Sequence, residues 1–383
     1  MGDKDLSRVC SSRRQFLGGL AAAGAGLFAS GCGETSSAQA PNAGGADLAN
    51  IRLFDMHHHF ASPGWIKKVK ADGALNPSWD GYSPAKTIEM MDQAGIQTAF
   101  ASQSTPGVWL VDGYGNNLLA ATKDPHSAKA PRQTVDEARM LVREMNEFGA
   151  KMASDYKGRF GILAALALPD IDGSLRAIEY AFDTLKLHGI GILTSYGNRW
   201  IGDPAFTPVF EELNRRKAVV YTHPTVAPCC RALINGVPET TLEFSTDTAR
   251  TIVSWIESGS AKRFPDIRWI HSHGGGTLVA SRFLQGGEGT NLRGTPAPGS
   301  KLYYLRQYFY DTNASNEATL LALKKTVGAS QIVYGHFDIP RPHDATGEGL
   351  RGIKRLADTE VFSAPELRGI GSGNVLRLFP QYA

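Results

Sequence analysis

From Ile51 onward, short apolar or β-branched runs alternate with longer stretches in which apolar residues recur every three or four positions, and eight such pairs can be counted. That alternation predicts a (β/α)8 barrel over residues 50–383. The runs predict strands at 51–57, 98–103, 160–166, 189–194, 218–222, 267–271, 306–311 and 331–335. Continuous apolar segments such as Ile162-Leu163-Ala164-Ala165-Leu166 suit parallel strands buried on both faces. The plainest helix is predicted over 134–156, where Leu141, Met145, Phe148 and Met152 make one stripe. A second begins near Asp172, with Asp172-Gly173-Ser174 as its cap. Around the seventh strand, Tyr303 to Tyr310 is aromatic-rich and admits more than one register. No repeat of 20–50 residues recurs, which argues against a solenoid.

The first fifty residues read differently. Ser12-Arg13-Arg14-Gln15-Phe16-Leu17 and the Gly- and Ala-rich apolar stretch behind it resemble a twin-arginine export signal. Leu17 to Gly31 is only 15 residues with five glycines, short for a bilayer span and poor at forming helix. Leu27-Phe28-Ala29-Ser30-Gly31-Cys32 resembles a lipobox, with Ala29 where Leu is usual, so a signal is expected over 1–32 and lipidation at Cys32. Residues 33–49 read as a flexible tether. An exported periplasmic protein or membrane-anchored lipoprotein follows, touching membrane only through that lipid.

Charge excludes other partners. The formal charge is +3, and residues 1–31 hold Lys4, Arg8, Arg13 and Arg14 against Asp3 and Asp5, so the remainder carries +1 and has no footprint for nucleic acid. Of four cysteines, Cys10 and Cys32 fall in the leader, leaving Cys229-Cys230, neighbours that cannot build a disulfide framework and read as small loop residues.

The chemistry sits at strand ends. Asp55-Met56-His57-His58-His59 closes the first strand, where alternation puts His57 and His59 on one face, able to share a metal. His223-Pro224 closes the fifth, His271-Ser272-His273-Gly274-Gly275-Gly276 the sixth, and Gly335-His336-Phe337-Asp338-Ile339-Pro340 the eighth. In an α/β barrel these ends converge on one face.

With Thr-His-Pro after strand five, His-Gly-Gly-Gly after strand six and the closing Asp-x-Pro, residues 51–380 resemble the amidohydrolase-related family. The branch is that of nonoxidative decarboxylases acting on aminocarboxymuconate semialdehyde and γ-resorcylate. Arg159-Phe160-Gly161, Gly202-Asp203-Pro204-Ala205-Phe206 and Glu243-Phe244-x-x-Asp247-Thr248-x-Arg250 are most similar to 6-methylsalicylate decarboxylase-like proteins. The resemblance implies His57, His59, His223 and Asp338 as metal ligands, with His273, helped by Asp338, handling the proton. Two residues separate Gly335 from Asp338 where the family has one, which makes His336 an alternative ligand. The bridging lysine of two-metal relatives has no counterpart between Gly189 and Arg199, so one divalent ion is expected, Zn²⁺ first and Mn²⁺ or Co²⁺ as fits.

His271, on the strand-six face shared with His273, is expected to pack or support a ligand. Arg282 and Arg250 are candidates to grip a substrate carboxylate through the bidentate guanidinium fork. Trp65, Asn146 and Asp203 are weaker pocket candidates. The expected reaction is loss of CO2 from an aromatic or unsaturated acid, a small molecule. The same residues would serve a hydrolase of a lactone, ester or amide, and a binding lipoprotein without chemistry is the third reading. Relatives of this kind also imply a homodimer.

The leader reading has a direct test: a reporter fused to residues 1–40 should reach the periplasm only as a folded protein, and changing Arg13 and Arg14 to Lys should hold it in the cytoplasm. Continued passage by the unfolded-chain route would reject it.

Overall fold

The computed structural model describes residues 51–71, 79, 81–108, 134–197, 199–230, 233–284, 294–336 and 348–383. Residues 1–49, where a leader and tether are expected, and Asp338 lie outside them. Eight parallel strands follow one another around the sheet: β1 (Leu53–His59), β2 (Ile96–Ser102), β3 (Phe160–Ala165), β4 (Gly189–Leu193), β5 (Val219–His223), β6 (Arg268–His271), β7 (Phe309–Asp311) and β8 (Ile332–Val333). Each pairs only with its sequence neighbours. The first and last strands approach where Met56 N donates to Tyr334 O at 2.9 Å. This is the nearly closed (β/α)8 barrel that the alternation predicts, with every strand found within a few residues of its expected place.

The connections carry α1 (Pro63–Ala71), α2 (Pro84–Ala94), α3 (Val135–Asp155), α4 (Ile171–Glu179), α5 (Thr207–Arg215), α6 (Glu239–Glu257), α7 (Ser260–Arg263), α8 (Lys301–Leu305) and α9 (Glu317–Val327), and α10 (Glu348–Asp358), α11 (Ala364–Arg368) and α12 (Asn374–Leu376) follow β8. Helix α3 starts where expected because Thr134 and Glu137 form a capping box. Helix α4 starts earlier than expected: Asp170, not Asp172, is its N-cap, and Asp172 lies in the first turn. The seventh strand is shorter than 306–311, because Ser300 accepts from Tyr303 N and the tyrosines behind it turn as α8.

Two apolar cores flank the strands. One lies between barrel and helices; the other fills the barrel interior with Phe54, Met56, Phe100, Leu163, Val219, Tyr221, Ile270, Phe309 and Val333. The chain's end seals that interior from below. Val375, Leu378 and Phe379 join it, and the Phe379 ring stacks on Phe100 at 4.2 Å. Tyr382 Oη donates to Phe160 O at 2.8 Å and lies 2.8 Å from His188 Nε2, while His188 Nδ1 accepts from Ile162 N at 3.0 Å.

Tyr382→Phe should therefore lower unfolding free energy by about 1–2 kcal/mol, since it strands a carbonyl and an imidazole nitrogen at the barrel base. Urea denaturation measures this, and an unchanged midpoint would show that the seal rests on apolar packing alone.

Candidate metal centre and active site

How His57 and His59 reach the barrel interior is a matter of one misplaced residue. In β1, Phe54 and Met56 point inward and Leu53 faces the helices. Simple alternation would then send residues 57 and 59 outward. Between Asp55 and His58, however, the register with β2 slips, Asp55 pairing with Ala99 and His58 with Ala101. A bulge of this kind flips the side-chain parity. Beyond it His57 and His59 face inward, while His58 turns to Asp55, its Nδ1 3.3 Å from Oδ2.

His223 arrives without such a device. Val219, Tyr221 and His223 are alternate residues of β5, and the first two line the interior core. The ring centroids of His59 and His223 are 4.5 Å apart, of His57 and His59 5.2 Å, and of His57 and His223 5.4 Å. One nitrogen from each of the three lies within 4.8 Å of the others. Burial, then the neighbouring imidazoles, holds His59 and His223 far below the ordinary histidine range, so both are neutral and offer lone pairs. Buried His223 Nδ1 has no hydrogen-bond partner among the described residues. A polar atom left this way is costly unless its lone pair serves a ligand, so the donor set fits a divalent cation.

Asp311, at the end of β7, was missed by the sequence reading. Its Oδ2 accepts from His57 Nδ1 at 2.9 Å and from Tyr221 Oη at 2.8 Å; its Oδ1 accepts from His273 N at 2.8 Å and Asn313 N at 3.0 Å. Burial alone would raise this carboxyl, but attraction to and hydrogen bonding with His57, then His273 and Tyr221, hold it below the usual range. Like the histidines, Asp311 ends a barrel strand, the one local signal it carries, and it lies in none of the motifs that carry the family resemblance.

His273 joins the cluster, its ring 4.8 Å from His57 and 6.1 Å from His223. Burial, with His57 beside it, pushes it down to about 3, and its Nδ1 has no partner among the described residues. It arrives by a turn rather than by strand alternation. β6 ends at His271, and His273 takes φ 54°, followed by Gly274, Gly275 and Gly276 at 60°, 79° and 64°. His271 is consequently not on the same face as His273: it stacks on Trp269 at 5.5 Å, outside the interior, with Nδ1 3.0 Å from Thr222 Oγ1. The glycines pack closely. Side chains there would meet Ser315, Tyr310 and, at Gly276, Ser245 O only 1.9 Å away, so the run serves left-handed backbone and close packing.

The remaining candidates have other partners or none to the imidazoles among the described residues. His336 donates its backbone N–H to Asp55 Oδ1 at 3.0 Å and lays its ring on Tyr334, apart from the three imidazoles. Arg250 faces Glu243 at 3.7 Å and Arg282 is exposed on a short turn; neither makes a hydrogen bond or ion pair to the imidazoles among the described residues. Asn146 pairs with both backbone groups of Ala165, Trp65 Nε1 donates to Gly107 O, and Asp203 caps Ala205 N, all structural roles. At the end of β4, Thr194 and Ser195 give their hydroxyls to buried Asp247. Neither Cys229 nor Cys230 is in a disulfide among the described residues.

A family model described as amidohydrolase matches residues 54–381. The chain is 30% identical over 348 residues to decarboxylase yanB of Aspergillus niger, covering 86% of this chain and 87% of that protein. It is 30% identical over 344 residues to the 6-methylsalicylic acid decarboxylase of Penicillium expansum, covering 85% and 96%. In fold it is similar to a Polaromonas dihydroxybenzoic acid decarboxylase solved with bound manganese and the inhibitor 2-nitroresorcinol, with TM-score 0.67, 19% identity, and 87% and 98% of the two chains covered.

In the unfolded chain these histidines take up protons near 6.5, whereas folded His59, His223, His271 and His273 resist them. The unfolded state therefore binds more protons as pH falls through 6.5, and metal-free protein should lose stability from there downward while staying level above about pH 7.5. Melting curves in chelator across this range check it; a rising midpoint on acidification would contradict the buried-neutral assignment.

Proposed function

The chain belongs to the amidohydrolase family, and from that membership we propose that it is a metal-dependent carboxy-lyase, removing CO2 without oxidation from an aromatic carboxylic acid. The supporting observation is a division of labour among four imidazoles. Three gather nitrogens within 4.8 Å of one another, and the fourth, His273, stands against them with an Nδ1 that has no partner among the described residues.

A divalent ion held by His57, His59 and His223, with Asp338 as the fourth ligand, would supply Lewis acidity to a carboxylate or hydroxyl oxygen of the substrate. Three imidazoles and a carboxylate suit zinc, while manganese is the ion in the Polaromonas protein. A single ion is favoured because hydroxyl residues committed to Asp247 stand at the end of β4, where a bridging lysine would be needed.

Decarboxylation replaces a carboxylate on a ring carbon by a proton, so the site needs one group to deliver that proton. We assign this to His273. Neutral in the ligand-free site, it gains affinity for a proton when an anionic acid enters beside it. The backbone bond from His273 N to Asp311 keeps the imidazole at its station.

His273→Asn is the informative variant, because asparagine tolerates the left-handed backbone that position 273 adopts. It should keep metal and melting temperature while turnover of hydroxybenzoates, read as released CO2, falls about 10²- to 10⁴-fold. Lost metal would make His273 a ligand instead. If wild-type protein releases no CO2 from such acids but opens lactones, the hydrolase reading replaces this one.

A further inference from the structure

Beyond the ligand set lies the question of what fixes it in register with the proton-handling residue. We infer that Asp311 is a positioning residue that governs both at once, setting the nitrogen that His57 presents to a metal and the backbone station of His273. The inference rests on the reading of His57 as a ligand, but its first test does not.

All four groups around the carboxylate are donors to it: His57 Nδ1 and Tyr221 Oη on one oxygen, His273 N and Asn313 N on the other. Only an acceptor with two equivalent oxygens satisfies such a ring; an amide would set its NH2 against one pair of donors. The His57 proton is thereby held on Nδ1, where Tyr221 Oη also lies 2.7 Å away, and Nε2 keeps its lone pair. On the other oxygen, the bond to His273 N anchors the first residue of the left-handed run, whose conformation brings that ring to within 4.8 Å of His57. Asp311 is fully buried, so water cannot take over for either oxygen. One side chain on β7 thus ties β1 to the turn after β6, which no backbone pairing of the barrel connects.

The first measurement uses wild-type protein stripped of metal: nitrogen-15 resonances of the imidazoles should show His57 with its proton on Nδ1, slow to exchange. A proton on Nε2 overturns the inference outright, whether or not the protein decarboxylates anything. The second uses Asp311→Asn. Chelator competition with zinc or manganese should show affinity weakened about 10- to 100-fold, and turnover should remain depressed even with the ion at saturation, because His273 has lost its anchor as well. Affinity within twofold of wild type would overturn the role at His57. Complete recovery of turnover by added metal would overturn the role at His273.

Discussion

The desolvation of imidazole rings crowded at one end of a sealed barrel is the constraint from which most of this structure follows. Buried rings this close cannot all be protonated, and His59, His223 and His273 are each driven toward the neutral form by burial and by one another. Neutral imidazole is the form that donates a lone pair to a metal. The environment that makes the rings expensive to bury is therefore the one that keeps their lone pairs available, and the cost is met only where each remaining N–H finds an acceptor. His57 finds Asp311, and His59 Nδ1 lies 3.4 Å from the Ser102 carbonyl.

That arrangement needs a rigid floor. Phe54, Met56, Phe100, Leu163 and Val219 fill the barrel beneath the histidines, and the C-terminal residues close it from below. The interior is thus layered, apolar at the base and polar at the top, with Tyr221 at the boundary: its ring packs in the core and its hydroxyl reaches Asp311. Chemistry is kept to the end where loops can vary, while the base carries stability.

An unbroken run of left-handed backbone stands at the same end. His273 and the three glycines behind it are left-handed in succession, and Gly276 lies against the Ser245 carbonyl. A barrel strand can aim a side chain only inward or outward. A left-handed turn escapes that choice, placing His273 beside His57 and His223 although His271, two residues earlier, packs outside with Trp269.

The sequence by itself determined the barrel and the membership of the site, because both are written in local patterns: alternating apolar runs of two periods, and histidines at the ends of strands that topology must bring together. His57, His59 and His223 were legible on that ground, and the family resemblance singled out His273 from His271 beside it. What alternation could not reveal is where it breaks. The bulge after Asp55 reverses the parity of β1 and turns His57 and His59 inward, and the end of β6 at His271 hands His273 to a turn. The bulge depends on pairing with another strand, and the glycines behind His273 permit its turn without by themselves fixing where the ring goes. Asp311 belongs to the same class. Its own neighbours, Tyr310 and Thr312, say nothing of an imidazole 254 positions away in sequence, and only closure of the barrel brings that ring within 2.9 Å.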